Sequence, residues 1–231
     1  MEQFIVSARK YRPATFASVV GQKHITSTLK NAIERNQLAH AYLFCGPRGV
    51  GKTTCARIFA KTINCLNPTS TGEACNECES CISFKDSPDI IEIDAASNNG
   101  VDEIRELKNK ISLVPSELKY KVYIIDEVHM LSIEAFNALL KTLEEPPAHV
   151  LFLLLAERAE AFLPTILSRV VTMKIRPLSE ETVAEYLMGT GLSTEESHTL
   201  AAYSQGRIGQ ALELMEDEDI LEAGVRIIAQ P

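Results

Sequence analysis

Short apolar runs alternate along this chain with segments whose apolar residues return every three or four positions. Ala41–Cys45, Ile90–Ile93, Lys121–Asp126, Val150–Leu155 and Val171–Ile175 have the length and β-rich character of buried strands. Between them, Ile25 to Asn36 carries Ile25, Leu29, Ala32 and Ile33 at helical spacing, and Lys52 to about Asn64, Val101–Leu113 and Ser132–Leu143 read as further helices. Ser132 supplies an N-cap for the last of these, and Glu145-Pro146-Pro147 ends it. Strands alternating with helices imply a parallel sheet covered on both faces. After residue 178 the strand pattern stops; helices alone follow, opened by Ser179-Glu180-Glu181-Thr182 and broken at Gly189, Gly191 and Gly206. We therefore expect an α/β core over residues 1–177 and a small all-helical lid domain over 178–231. Residues 1–20 read as an extended arm, because proline at position 13 steers Arg12 away from the helical region.

Length and composition narrow this picture. A chain of 231 residues accommodates one core domain with a smaller appendage, and 45% hydrophobic residues suffice for a real core. The longest apolar run, Val150–Ala156, is far short of the roughly 18 residues a membrane span requires. Met1-Glu2-Gln3-Phe4 has neither the basic nor the apolar region of a secretory signal, so a cytoplasmic protein without a membrane partner is expected. The net charge of -8 is uneven: of 23 basic side chains only Arg207 and Arg226 lie beyond residue 177, against 11 of the 31 acidic ones. The larger part is thus close to neutral, and charge alone does not exclude a nucleic-acid partner.

Chemistry concentrates first at Gly46-Pro47-Arg48-Gly49-Val50-Gly51-Lys52-Thr53, which satisfies G-x-x-x-x-G-K-[ST] between an expected strand and an expected helix. Glycines let the loop curl so that successive N–H groups converge on phosphate, and the helix start adds favourable partial charge. Lys52 would reach the β/γ oxygens of ATP, and Thr53 would hold Mg²⁺. The loop and its first helical turn, through Thr54, are the candidate nucleotide-binding residues. Val122 to Ile125 then lead into Asp126 and Glu127, an apolar strand ending in two carboxylates. Asp126 is a second Mg²⁺ ligand in this reading, and Glu127 polarises the attacking water.

Cys65, Cys75, Cys78 and Cys81 form C-x9-C-x2-C-x2-C in an insertion spanning about residues 64–83. Four thiolates so spaced suit a closed, structural Zn²⁺ site; disulfides are the competing reading, disfavoured in a reducing compartment. No basic residue lies between Cys65 and Cys81, which weakens a zinc-finger DNA reader. Cys45 and Cys55 read as apolar packing, and His129 as a packing or solvent-facing residue.

Tyr11-Arg12-Pro13, Val20-Gly21-Gln22, the phosphate loop, the four cysteines, Asp94-Ala95-Ala96-Ser97, Asp126 to Leu131 and Leu143 to Pro147 together resemble the bacterial DNA polymerase III gamma/tau subunit family. The resemblance runs throughout residues 1–150. It implies an AAA+ fold, ATP-driven loading of the sliding clamp onto primer-template DNA, and an assembly with delta, delta-prime and further gamma/tau subunits. It also implies that the adenine lies near Tyr11, Arg12, Val19 and Val20, and that Arg169, in Ser168-Arg169-Val170, acts as a finger in a neighbouring subunit's ATP site. Valine stands at position 170 where the family motif has cysteine.

Beyond residue 150 the chain departs from that pattern. Leu154-Leu155-Ala156-Glu157 provides no hydroxyl where the family has its first sensor residue. Gly209 occupies the place of the second sensor's arginine, as in the delta-prime subunit, and Arg207, two residues earlier, should point elsewhere. The expected function is therefore an ATPase module with weak hydrolysis, or alternatively a nucleotide-holding structural module. The family's collar domain is not represented, so we expect a fragment, chimera or designed chain that is monomeric alone. The amides of Ala95 to Asn99 are a candidate contact to DNA.

Overall fold

The computed structural model describes residues 13–97 and 111–215. Its centre is a five-stranded parallel sheet: β1 (Ala41–Cys45), β2 (Ile90–Asp94), β3 (Lys121–Asp126), β4 (Val150–Ala156) and β5 (Val171–Lys174), in the order β2-β3-β4-β1-β5. Each expected strand is present. Alternation within the strands explains the two covered faces. Leu43, Tyr123, Phe152 and Leu154 enter one apolar cluster, whereas Tyr42, Phe44, Ile124 and Leu153 enter the other. Tyr123 and Phe152 stack across β3 and β4 at 5.5 Å, and burial of each such ring contributes about 2–3 kcal/mol.

The connections are helices: α1 (Lys23–Glu34), α2 (Lys52–Asn64), α3 (Glu79–Ser83), α4 (Ile133–Glu144) and α5 (Pro164–Leu167). Ser132 caps α4 by accepting from the Ala135 amide, as its position before the apolar period implies. Helices α3 and α5 were not anticipated, being too short to express a period; α5 begins on Pro164, where the missing N–H costs nothing. Of the helix expected over Val101–Leu113, residues 101–110 lie outside the described residues, as do Tyr11, Arg12 and positions 216–231.

The arm is not simply extended. Phe16–Ser18 forms a 3-10 turn closed by reciprocal bonds between Thr15 and Ser18, and Phe16 is buried beneath it. A distant side chain drives this departure, since Glu73 accepts from the amides of both Phe16 and Ala17.

Past β5, helices α6 (Glu180–Gly189), α7 (Thr194–Ser204) and α8 (Ile208–Leu214) follow the breaks expected from the glycines. They gather Val183, Leu187, Leu200 and Leu212 into an apolar cluster of their own. Gly206 must be glycine: its φ is +75°, and a Cβ there would lie 2.2 Å from the carbonyl oxygen of Leu178. This turn delivers the start of α8 to the loop after β1. Among the described residues no helix is long and apolar enough to cross a membrane.

Candidate functional site

Because the sheet is parallel, β1, β2, β3 and β4 all end along one edge, and a cleft of about 650 Å³ opens there. Its floor is the loop joining β1 to α2. Gly49 and Gly51 adopt φ of +83° and +98°, and Gly51 is the left-handed residue from which α2 starts. Gly46 permits a close approach, since a Cβ there would lie 2.3 Å from the Ile175 carbonyl oxygen. Arg48, Gly49, Gly51, Lys52, Thr53 and Thr54 line the cleft. Gly46 and Pro47 stand behind it and accept the Lys52 ammonium at 2.8 and 3.0 Å. Burial lowers the Lys52 pKa, opposed by the nearby carboxylates of Glu127 and Asp126.

The two acids after β3 meet this loop from the side. Thr53 donates to Asp126 at 3.0 Å, joining the hydroxyl and carboxylate that the spacing suggested as partners. The other Asp126 oxygen accepts from the Glu127 amide at 2.9 Å. Glu127 lines the cleft from a left-handed backbone conformation, with φ of +48°. Such a conformation is uncommon for a residue with a side chain and is held here at the strand's end, where it turns the carboxylate toward the loop. His129 is more involved than expected: its Nδ1 lies 3.6 Å from a Glu127 carboxylate oxygen.

Several lining residues escaped the sequence reading, among them Asp94 and Arg207. Asp94 ends β2 in register with Asp126, so the strands carry neighbouring carboxylates to the same edge. Ser97 and the Ala96 amide donate to Asp94 and lower its pKa. The identical strand ending, Ile-Asp, was the available signal. Arg207 also lines the cleft, which corrects the expectation that it points elsewhere. It precedes α8 rather than lying within it, so helical angles do not govern its direction. Its stem packs 3.6 Å from where a Gly49 Cβ would lie, while its guanidinium donates to Ser204 and Gln205. Gly209 faces the Gly49 carbonyl and Ala156 ends β4 beside Cys45, so neither position offers a polar side chain.

Beside the phosphate loop lies a smaller apolar pocket formed by Pro13, Val19, Val20, Val50, Leu178 and Tyr186. Val19 and Val20 both line this pocket, while Tyr11 and Arg12 are outside the described residues. Arg169 lies away from the cleft, bonded to Glu144 at 2.9 Å and to the Thr165 carbonyl. The proposed DNA-contacting amides are already engaged: Ala95 donates to Asp126, and Ala96 and Ser97 donate to Asp94. Asn98 and Asn99 lie outside the described residues.

The four spaced cysteines form a second constellation. Their sulfurs all lie within 4.8 Å of one another, with Cys65–Cys75, Cys65–Cys78 and Cys75–Cys81 separations of 3.5, 3.9 and 4.0 Å. A tetrahedral zinc thiolate site has sulfurs about 3.8 Å apart, given Zn–S bonds near 2.3 Å, so the donor set fits. The amides of Cys75 and Cys78 donate to the sulfurs of Cys65 and Cys75, a support that favours thiolates. The four thiols divide: burial raises those of Cys65 and Cys81, whereas hydrogen bonds from backbone amides bring Cys75 down and, against burial, Cys78 down to about 6. Cys45 and Cys55 are buried apolar packing as expected, and burial pushes their thiols up to about 11 and about 12.

Comparison with known proteins agrees with this geometry. The family model described as "DNA polymerase III, delta subunit" matches residues 21–179. The chain is 47% identical over 216 residues to DNA polymerase III subunit tau of Bacillus subtilis, covering 90% of this chain and 38% of that one. It is 46% identical over 221 residues to subunit tau/gamma of Haemophilus influenzae, covering 91% and 32%. It is 42% identical over 219 residues to subunit gamma of Buchnera aphidicola, covering 91% and 60%. The chain thus spans about a third of the tau relatives it matches. Among solved structures, the Holliday junction branch migration motor RuvB of Thermotoga maritima superposes with a TM-score of 0.59 at 18% identity, covering 94% of this chain and 72% of that one. The fold is that of the AAA+ ATPases.

Proposed function

Since the chain belongs to the DNA polymerase III delta and gamma/tau subunit family, we propose that it is the nucleotide-binding module of a clamp loader that binds ATP tightly and hydrolyses it slowly. The observation that carries this reading is the contact of Thr53 with Asp126 beside the glycine-curled loop and Lys52. Backbone N–H groups from Gly49 to Thr54 would cradle the phosphates, Lys52 would neutralise the β/γ oxygens, and the base would lie against Val19, Val20, Tyr11 and Arg12. Thr53 and Asp126 would hold Mg²⁺, which supplies charge neutralisation on the phosphoryl oxygens.

Glu127 would accept a proton from water as its oxygen attacks the γ-phosphorus. The bond to the bridging oxygen breaks, and ADP and phosphate leave. Arg169, from its exposed edge, would serve a neighbouring subunit's site. The slow rate would follow from Leu154 to Glu157 and from Gly209, the places where the family resemblance puts a hydroxyl and a guanidinium that stabilise developing charge. Those two places also favour the second reading, a nucleotide-holding structural member of the assembly. Exchange of Glu127 for Gln separates the two: a large fall in turnover supports the motor, and unchanged turnover supports the scaffold.

In the same proposal residues 1–177 form the core domain and 178–231 the lid. Zn²⁺ sits in the insertion as an architectural ion, held by Cys65, Cys75, Cys78 and Cys81. The partners are delta, delta-prime and gamma/tau subunits, the sliding clamp and primer-template DNA, in the cytoplasm. Elemental analysis tests the metal; one zinc per chain is expected, and a content near zero overturns that part.

A further inference from the structure

The cysteine insertion is too far in sequence from the arm to shape it locally, yet one of its side chains grips the arm directly. Glu73 is only 6% exposed, and both its oxygens are committed. One accepts from the Phe16 amide at 2.8 Å; the other accepts from the Ala17 amide at 3.0 Å and meets the Lys30 ammonium of α1 at 2.6 Å. The Glu73 backbone is fixed in turn by exchange with Thr69: its amide donates to the Thr69 hydroxyl, and its carbonyl accepts from the Thr69 amide. Two residues later the chain enters the sulfur cluster at Cys75, whose amide donates to Cys65 at the end of α2. A carboxylate buried against two amides and an ammonium is worth several ordinary hydrogen bonds, and leaving those donors unpaired is costly.

The arm that Glu73 holds is the wall of the apolar pocket. The turn at Phe16–Ser18 lies between Pro13 and the pair Val19 and Val20, all three of which face that pocket. Pro13, Gly51, Thr54, Ile208 and Leu212 border both this pocket and the phosphate cleft, so the two form one continuous depression. A flat, weakly polar ring attached to phosphates fits such a combination.

We infer that Glu73 is a positioning residue through which the four-cysteine cluster holds the base-binding wall of the nucleotide cleft, so that the metal state of the insertion sets nucleotide affinity. The inference rests on the nucleotide and zinc readings above. With thiolates drawn together by one ion, the segment from Cys65 to Cys81 has a single shape, and Glu73 is presented to the Phe16 and Ala17 amides. Without the ion, the segment gains conformations in which that carboxylate is withdrawn, and ordering the arm must then be met from the binding energy of the nucleotide.

The test measures ADP affinity by fluorescence of a labelled analogue in four samples of the 231-residue chain: parent and Glu73→Gln, each zinc-loaded and chelator-stripped. We expect stripping to weaken binding by the parent about tenfold, the scale of one charge-assisted contact. Zinc-loaded Glu73→Gln should be weakened similarly, and stripping should change it little further. Hydrogen exchange at the Phe16 and Ala17 amides, read on the stripped parent, should accelerate, and this holds the inference to account even if the variant folds poorly. Affinities within about twofold across all four samples, or unchanged exchange at those amides, would overturn the coupling while leaving the nucleotide site standing. Absence of ADP binding by the zinc-loaded parent would overturn the nucleotide reading, and the coupling with it.

Discussion

The two sides of the cleft differ in what their side chains can do. On the side built by the ends of β1 and β3, Lys52, Thr53, Asp126 and Glu127 bring an ammonium, a hydroxyl and two carboxylates to one loop. On the side built by the start of α8, Gly209 has no side chain and the Arg207 guanidinium is bonded to Ser204 and Gln205. In the proposed function the first set binds a triphosphate, since amides, one lysine and a metal carry most of that interaction. The second is where charge appearing only during phosphoryl transfer would be met. In the proposed function, changing very few positions keeps binding and slows catalysis.

The largest effect that would break this comparison is expected at Lys52. Exchange for Ala should weaken ATP affinity on the order of 100-fold, because it leaves buried phosphate charge unpaired, with calorimetry as the check. A smaller effect is expected from restoring the poor side. Gly209→Arg should raise steady-state turnover about tenfold or more while leaving affinity within a few-fold. A Cβ at position 209 would come 3.4 Å from the Gly49 carbonyl, a fit that needs only a slight local shift. The smallest effect is expected at Arg207. Its guanidinium is tied to Ser204 and Gln205, so Arg207→Ala should weaken ATP binding only about threefold, measured by competition with the labelled analogue.

What the sequence made legible follows the same division. The five strands, the phosphate loop and the acids after β3 are local patterns, and a parallel sheet converts their order along the chain into neighbours along one edge. The cysteine spacing was equally readable, because each ligand lies within a short loop of the next. Three features were not. The Phe16–Ser18 turn depends on Glu73, which no local window connects to it. Asp94 reaches the cleft through its register with Asp126, a pairing that periodicity does not specify. Arg207 was misjudged because an angle inside a helix was applied to a residue that precedes one. In the first two cases the deciding contact joins segments far apart in sequence, and composition carries no trace of it.

The most direct test of the central claim is a single-turnover experiment with labelled ATP, magnesium and the chain in excess. The account predicts that ATP is captured and then converted to ADP on the order of 10⁻³ per second or more slowly, the range of a phosphate loop working without an arginine. Conversion within a few seconds, or failure to capture ATP on well-folded material, would contradict it.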